Sequence, residues 1–111
     1  MNVVNINPLI ENAFENYRLP IAYKTYKGKE KSYLTYYTWS QRPDNYYDDE
    51  SHTTIAYGTI DIYSSGNFKN ILNEVIEILE QNDFTVTDIE SEDYEEDSKL
   101  YHVPINFYKE G

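Results

Sequence analysis

Residues 53–90 read TTIAYGTIDIYSSGNFKNILNEVIEILEQNDFTVTDIE, and their apolar side chains change period twice. Over the first third the alternation is two: Ala56, Gly58, Ile60 and Ile62 share one face, the pattern of a half-buried strand. The small residues on that face predict close approach of a helix to the sheet. Ser65, Gly66 and Asn67 break the strand, and the period becomes helical. Phe68, Ile71, Leu72, Val75, Ile78 and Leu79 make an apolar stripe, with Glu74, Glu77 and Glu80 on the other side. "FTVTDIE" then returns to a short strand. A helix with one apolar stripe between two strands must bury that stripe on a sheet, which predicts an α+β fold.

Outward from this unit, Asn7-Pro8 opens a helix, asparagine capping and proline in the first turn. Leu9, Ile10, Ala13, Phe14 and Tyr17 recur at helical spacing until Leu19-Pro20 stops the run. "PIAYKTY", the polar turn "KGKEK" around Gly28, and "SYLTYYTWS" predict a hairpin, with Tyr33, Thr35, Tyr37 and Trp39 on one face. Residues 41–52 lack periodicity and contain Pro43, the signature of a long loop. "SEDYEEDS" reads as an acidic loop. "KLYHVPINFY" is a last strand with Tyr101, Val103, Ile105 and Phe107 on its core face. Pro104 cannot donate to a ladder, which predicts that this strand lies at an edge or bulges there. The expected architecture is one domain over residues 1–111, in the order α-β-β-β-α-β-β. A mostly antiparallel or mixed sheet of about five strands carries both helices on one face.

Charge and composition narrow the function. Twenty acids against nine bases leave a net charge of −11. That balance disfavours phosphate backbones, whose binding depends on neutralising lysines and arginines. Anionic membrane surfaces are disfavoured for the same reason. With no cysteine there is neither a disulfide framework nor a thiolate metal site. The N-terminus lacks the basic and apolar regions of a signal peptide, and no run approaches a membrane span, so a cytoplasmic product is expected.

The stretch YLTYYTWSQRPDNYYDDES, residues 33–51, gathers aromatics and carboxylates that could serve three ends. A base-stacking platform needs cations interleaved with its rings, and the strand has none, although Lys24, Lys27, Lys29 and Lys31 lie beside it as a small basic patch. Cross-strand aromatic pairing explains the same tyrosines without a ligand. Asp48, Asp49, Glu50 and His52 are of ligand type, but a calcium loop needs a glycine at its bend and zinc needs more histidine or cysteine than His52 and His102 supply. A solvated acidic loop accounts for them equally. No glycine motif for phosphate and no nucleophile with a base nearby is present, so neither enzymatic activity nor a cofactor or metal is expected. "DIESEDYEEDS" places Tyr94 alone among seven acids, a sensible anchor on a partner surface.

Taken together, "YKGKEKSYLTYY", "IDIYSSGNF" and "DFTVTDIESEDYEEDSKLYHVPINF", in a layout running from Pro8 to the end, resemble the tail completion or tail terminator proteins of long-tailed phages and prophages of Gram-positive hosts. The resemblance implies an α+β subunit without enzymatic activity or cofactor that forms a ring, commonly a hexamer, on the head-proximal end of the tail tube. It also implies the tail tube protein and the head connector as partners, assembly in the host cytoplasm, and residence in the virion neck. On that reading Tyr46, Tyr47, Asp48, Asp49 and Glu50, with Tyr94, are the candidate assembly interface, and a ring of chains this acidic would repel DNA passing through it. Three rival readings differ in their signatures. A head completion protein shares the architecture, an acidic DNA mimic would bind a basic protein in a salt-sensitive way, and a hydrolase using the Asp48 to His52 cluster would carry stoichiometric metal.

Overall fold

The computed structural model describes residues 5–43 and 54–110. The elements run α1 (Asn7–Ala13), β1 (Ile21–Tyr23), β2 (Ser32–Pro43), β3 (Thr54–Ser64), α2 (Lys69–Gln81), β4 (Thr85–Ile89), β5 (Asp93–Glu95) and β6 (Leu100–Glu110). Six strands form one mixed sheet in the order β1-β2-β3-β6-β4, with β5 beside β6. This is the expected α+β fold.

The period switch at Gly66 has local causes. Ser64 Oγ accepts the Gly66 N–H at 3.2 Å, and Asn67 Oδ1 accepts the Lys69 N–H at 3.0 Å, satisfying a donor that the first helical turn leaves free. At the far end Asn82 Nδ2 donates to the Ile78 carbonyl at 2.8 Å, and Asp83 adopts φ 66°. That left-handed residue reverses the chain and drops Phe84 into the core, edge-on to Phe107 at 5.4 Å.

The core lies on one face of the sheet. Leu34, Ile62 and Val103 pair across β2, β3 and β6, and so do Tyr36, Ile60 and Ile105. Onto these rows α1 lays Ile6, Ile10 and Phe14, and α2 lays Ile71, Val75 and Leu79, in a single cluster. Leu9, expected in the stripe of α1, is 42% exposed, and Ile6 takes the buried place one turn earlier. A helix of seven residues is marginal by itself. Polar contacts tie the segment down as well: Tyr36 donates its hydroxyl to Glu11, Tyr17 donates to Glu74 Oε1 at 2.7 Å, and Arg18 Nη2 meets the same oxygen at 2.8 Å. Those two donors, Tyr17 first, hold the Glu74 carboxyl below its ordinary range.

Five expectations need correction. Residues 21–39 do not form a hairpin: β1 runs parallel to β2, pairing Ile21 with Leu34 and Tyr23 with Tyr36. Lys24, at φ 63°, turns the chain away from the sheet, and the connector returns over the other face with Tyr26 stacked on Tyr33 at 4.3 Å. Gln41, Arg42 and Pro43, expected in a loop, are strand residues that pair with Ala56, Ile55 and Thr54 beyond a bulge at Trp39. The acidic segment contains a strand, with Asp93, Tyr94 and Glu95 opposite His102, Tyr101 and Leu100.

Pro104 does not mark an edge, since β6 is an interior strand. Its carbonyl accepts the Glu90 N–H at 3.0 Å, so its nitrogen faces the gap between β4 and β5. In an antiparallel ladder both groups of one residue point the same way, and no ladder bond is lost there. Finally, the space over Gly58 is filled by a ring rather than a helix backbone. A Cβ at Gly58 would lie 2.8 Å from Phe107 Cζ and 2.7 Å from the Tyr37 carbonyl oxygen.

Candidate interaction surface

The sheet's second face has no helix over it among the described elements, and the alternation that buries Ile60 and Ile62 turns Thr59, Asp61 and Tyr63 toward it. Two side-chain ladders cross this face.

At the end of the sheet near β1, Tyr33 stacks on Tyr63 with centroids 4.9 Å apart, and Tyr63 stacks on His102 at 4.5 Å with planes 4° apart. Tyr26 from the connector completes a four-ring stack that spans β2, β3 and β6. Offset stacking of this kind adds to simple area burial. His102 is held from both sides: Nε2 lies 2.7 Å from Asp61 Oδ1, and Nδ1 lies 3.9 Å from Glu95 Oε2. Partial burial, then Asp61 and Glu95, push the Tyr63 phenol up to about 12. Burial first and Glu95 second raise Tyr33 as well. Both phenols therefore stay neutral at physiological pH and present hydroxyls.

Nearer the other end, hydrogen bonds run across four strands with one polarity. Trp39 Nε1 donates to Thr59 Oγ1 at 3.0 Å, and the Thr59 hydroxyl donates to Asn106 Oδ1 at 2.7 Å. Asn106 Nδ2 donates in turn to Asp88 Oδ1 and Glu90 Oε2, both at 3.0 Å. An indole N–H can only donate, and the carboxylates at the far end take the Asn106 amide N–H groups, so the two ends together fix the direction of the chain. Rings flank it, with Trp39 to Tyr57 at 5.4 Å and Tyr57 to Tyr108 at 5.9 Å.

The two carboxylates around His102 sit on opposite ring nitrogens, so they do not converge on one metal position. Among the described residues no group of three histidine or carboxylate side chains could hold a metal, and no helix is long and apolar enough to cross a membrane. What the face offers is pre-ordered aromatic area with hydroxyl, amide and carboxylate groups between the rings, the chemistry of protein–protein contact.

Of the residues singled out in the sequence, Tyr46, Tyr47, Asp48, Asp49, Glu50 and His52 lie outside the described residues. Tyr94 is on β5, 46% exposed, with its ring 5.0 Å from Tyr101, which in turn meets Phe68 at the start of α2. The structure thus joins Tyr94 to the helix-bearing side of the sheet. The Asp61–His102 contact and the Trp39–Thr59–Asn106 chain went unread in the sequence. Their signal is present in hindsight: Asp61 is a carboxylate between two isoleucines, which alternation must place on the opposite face.

The fold and its face define an α+β protein with two helices on one side of a six-stranded mixed sheet and a tyrosine-rich second side. No protein-family model matches the sequence, and no curated protein matches it. Among solved structures the fold is similar to that of a chain in the virion of a native gene transfer agent particle. The TM-score is 0.56 at 7% identity, over 94% of this chain and 84% of that one.

Proposed function

We propose that this chain is a structural subunit of a phage or phage-like particle, and specifically a tail terminator. It would cap the head-proximal end of the tail tube as a hexameric ring and help join tail to head. The observation that carries the reading is the likeness of fold to a virion chain over 94% of this chain and 84% of that one. The resemblance of sequence layout to tail terminator proteins supports the finer role. The second face of the sheet suits a particle subunit too, since rigid tyrosines make contact area for a neighbouring protein at low entropic cost.

On this reading the chain acts by fit, without catalysis or a cofactor. Its partners are further copies of itself, the tail tube protein and the head completion or connector protein. It is made in the bacterial cytoplasm and stays in the neck of the particle. Tyr46, Tyr47, Asp48, Asp49 and Glu50 touch the tube or the next subunit, with Tyr94 as a further anchor. With a net charge of −11 on each copy, the lumen repels passing DNA. A basic channel wall in a structure of the ring would remove that last point.

Native mass spectrometry over a wide concentration range, paired with electron microscopy of tail tubes incubated with the protein, tests the proposal. The expected result is a species of six 13.2 kDa subunits that grows with concentration, and capped tube ends. A strict monomer that leaves the tube ends bare would overturn it. Within the proposal, Tyr46→Ala with Tyr47→Ala is expected to reduce tail attachment at least tenfold; unchanged attachment would sink that contact assignment.

A further inference from the structure

Among the described residues the two edges of the sheet carry no further strand, and they are opposite in charge. On one side β1 covers only Leu34, Thr35 and Tyr36 of β2, so the outer edge of β2 over residues 37–43 has no strand against it among the described residues. On the other side β4 ends the strand order. Open edges are templates for pairing with another chain unless something blocks them.

Four of the nine basic residues, Lys24, Lys27, Lys29 and Lys31, are in the connector that joins β1 to β2, the two strands of the first edge, all exposed, with Glu30 as the one acid among them. Around the second edge, residues 83–97 hold eight acids and no base. The edge strands β1 and β4 are four inter-strand steps apart, about 19 Å, more than a Debye length at physiological salt. Each edge therefore presents its own sign to a partner.

Exposed apolar groups mark the same two flanks. Five large hydrophobic side chains stand exposed among the described residues, and four of them are Tyr23 and Trp39 on β1 and β2, and Ile89 and Tyr94 on β4 and β5. Lysines alone would be ordinary protection of an edge. Opposite signs on the two edges do something different. Like edges repel, which disfavours a two-fold dimer, while unlike edges attract, which favours head-to-tail contact.

We infer that the β1/β2 edge of one copy docks on the β4/β5 edge of the next, with Lys27, Lys29 and Lys31 facing the acidic segment of the neighbour. The occupant of each edge is a second copy of this chain. This rests on the ring reading above and assigns its two contact surfaces. Rim charges of this kind act mainly on partner choice and association rate, so the contact weakens as salt rises.

A reciprocal charge exchange tests it. One variant carries Lys27→Glu, Lys29→Glu and Lys31→Glu; the other, labelled with ¹⁵N, carries Glu92→Lys, Glu96→Lys and Asp97→Lys. Each alone is expected to show a six-subunit fraction about tenfold below the parent's in native mass spectrometry. Mixed in equal amounts they are expected to recover it, with three copies of each per ring, since only unlike variants then present unlike edges. Recovery also shows that both variants are folded. If either variant assembles as well as the parent, or the mixture fails to recover, the edge assignment is overturned while the parent's ring stands. A parent chain that stays monomeric at every concentration overturns both.

Discussion

The two faces of one sheet are built from different chemistry. Toward the helices, β3 sends Ala56, Ile60 and Ile62, each fully buried among aliphatic and phenyl groups. Toward the other side it sends Thr59 and Asp61, which spend their polar atoms on Asn106 and His102 of the adjacent β6, and Tyr63, which stacks between Tyr33 and His102. The first face is stabilised by removal from water, which is non-directional and scales with area. The second is stabilised by stacking and directed hydrogen bonds, which need particular partners in particular places. The first face makes the fold, and the second gives it a surface with fixed features.

Substitutions on β3 separate these contributions. Ile60→Ala removes a fully buried side chain from the centre of the core and is expected to cost about 3 kcal/mol, read as a lower urea midpoint with unchanged slope. A cost below 1 kcal/mol would mean that the two faces matter alike. Next in size is Gly58→Ala, at about 2 kcal/mol. Its methyl would meet the Tyr37 carbonyl oxygen, which is backbone and cannot move aside as a side-chain tip can. A neutral or stabilising outcome in the same melt would show that Phe107 and β2 yield easily.

On the open face the effects shrink. Thr59→Val keeps the shape but takes the acceptor from Trp39 and the donor from Asn106, an expected loss of about 1 kcal/mol. Trp39 is the only tryptophan, so its emission reports the change directly. An unshifted spectrum would show that the chain of hydrogen bonds does not hold the indole. The smallest effect is expected of Tyr63→Phe at high pH. Folding pushes this phenol up to about 12, above the value near 10 of an unfolded tyrosine. Its contribution is therefore fully present below pH 10 and lost as pH rises through about 12. Over that window the variant's melting temperature should fall less steeply than the parent's, by about 2 °C given partial exposure. Parallel curves would place the shift elsewhere.

Much of this was legible beforehand. The stripe of Phe68, Ile71, Leu72, Val75, Ile78 and Leu79 has one solution, a helix on a sheet, and the alternation through Ile60, Ile62, Val103, Ile105 and Phe107 names the face it covers. Both are local periodicities tied to burial. The parallel pairing of β1 was not legible, because Lys24 carries no sign of the left-handed conformation that redirects the chain. Nor was the interior place of β6: a proline in a strand usually signals an edge, and only the break between β4 and β5 makes Pro104 harmless. Of the candidate contact residues, Tyr94 is on β5 and 46% exposed, while Tyr46, Tyr47, Asp48, Asp49 and Glu50 lie outside the described residues. The Asp61–His102 contact joins residues 41 positions apart, beyond the reach of any local pattern.

By itself, then, the sequence determines the elements, their apolar faces, the α+β class and the acidic character of the chain, since these follow from period, composition and charge along a few neighbouring residues. Only the tertiary structure decides the order of the strands, which edges stay open, and which aromatic and polar side chains meet across the second face. The reason is physical. Burial rewards any apolar face turned inward, whereas strand order, stacking and hydrogen bonds depend on which distant segments become neighbours, and that is settled when the chain packs.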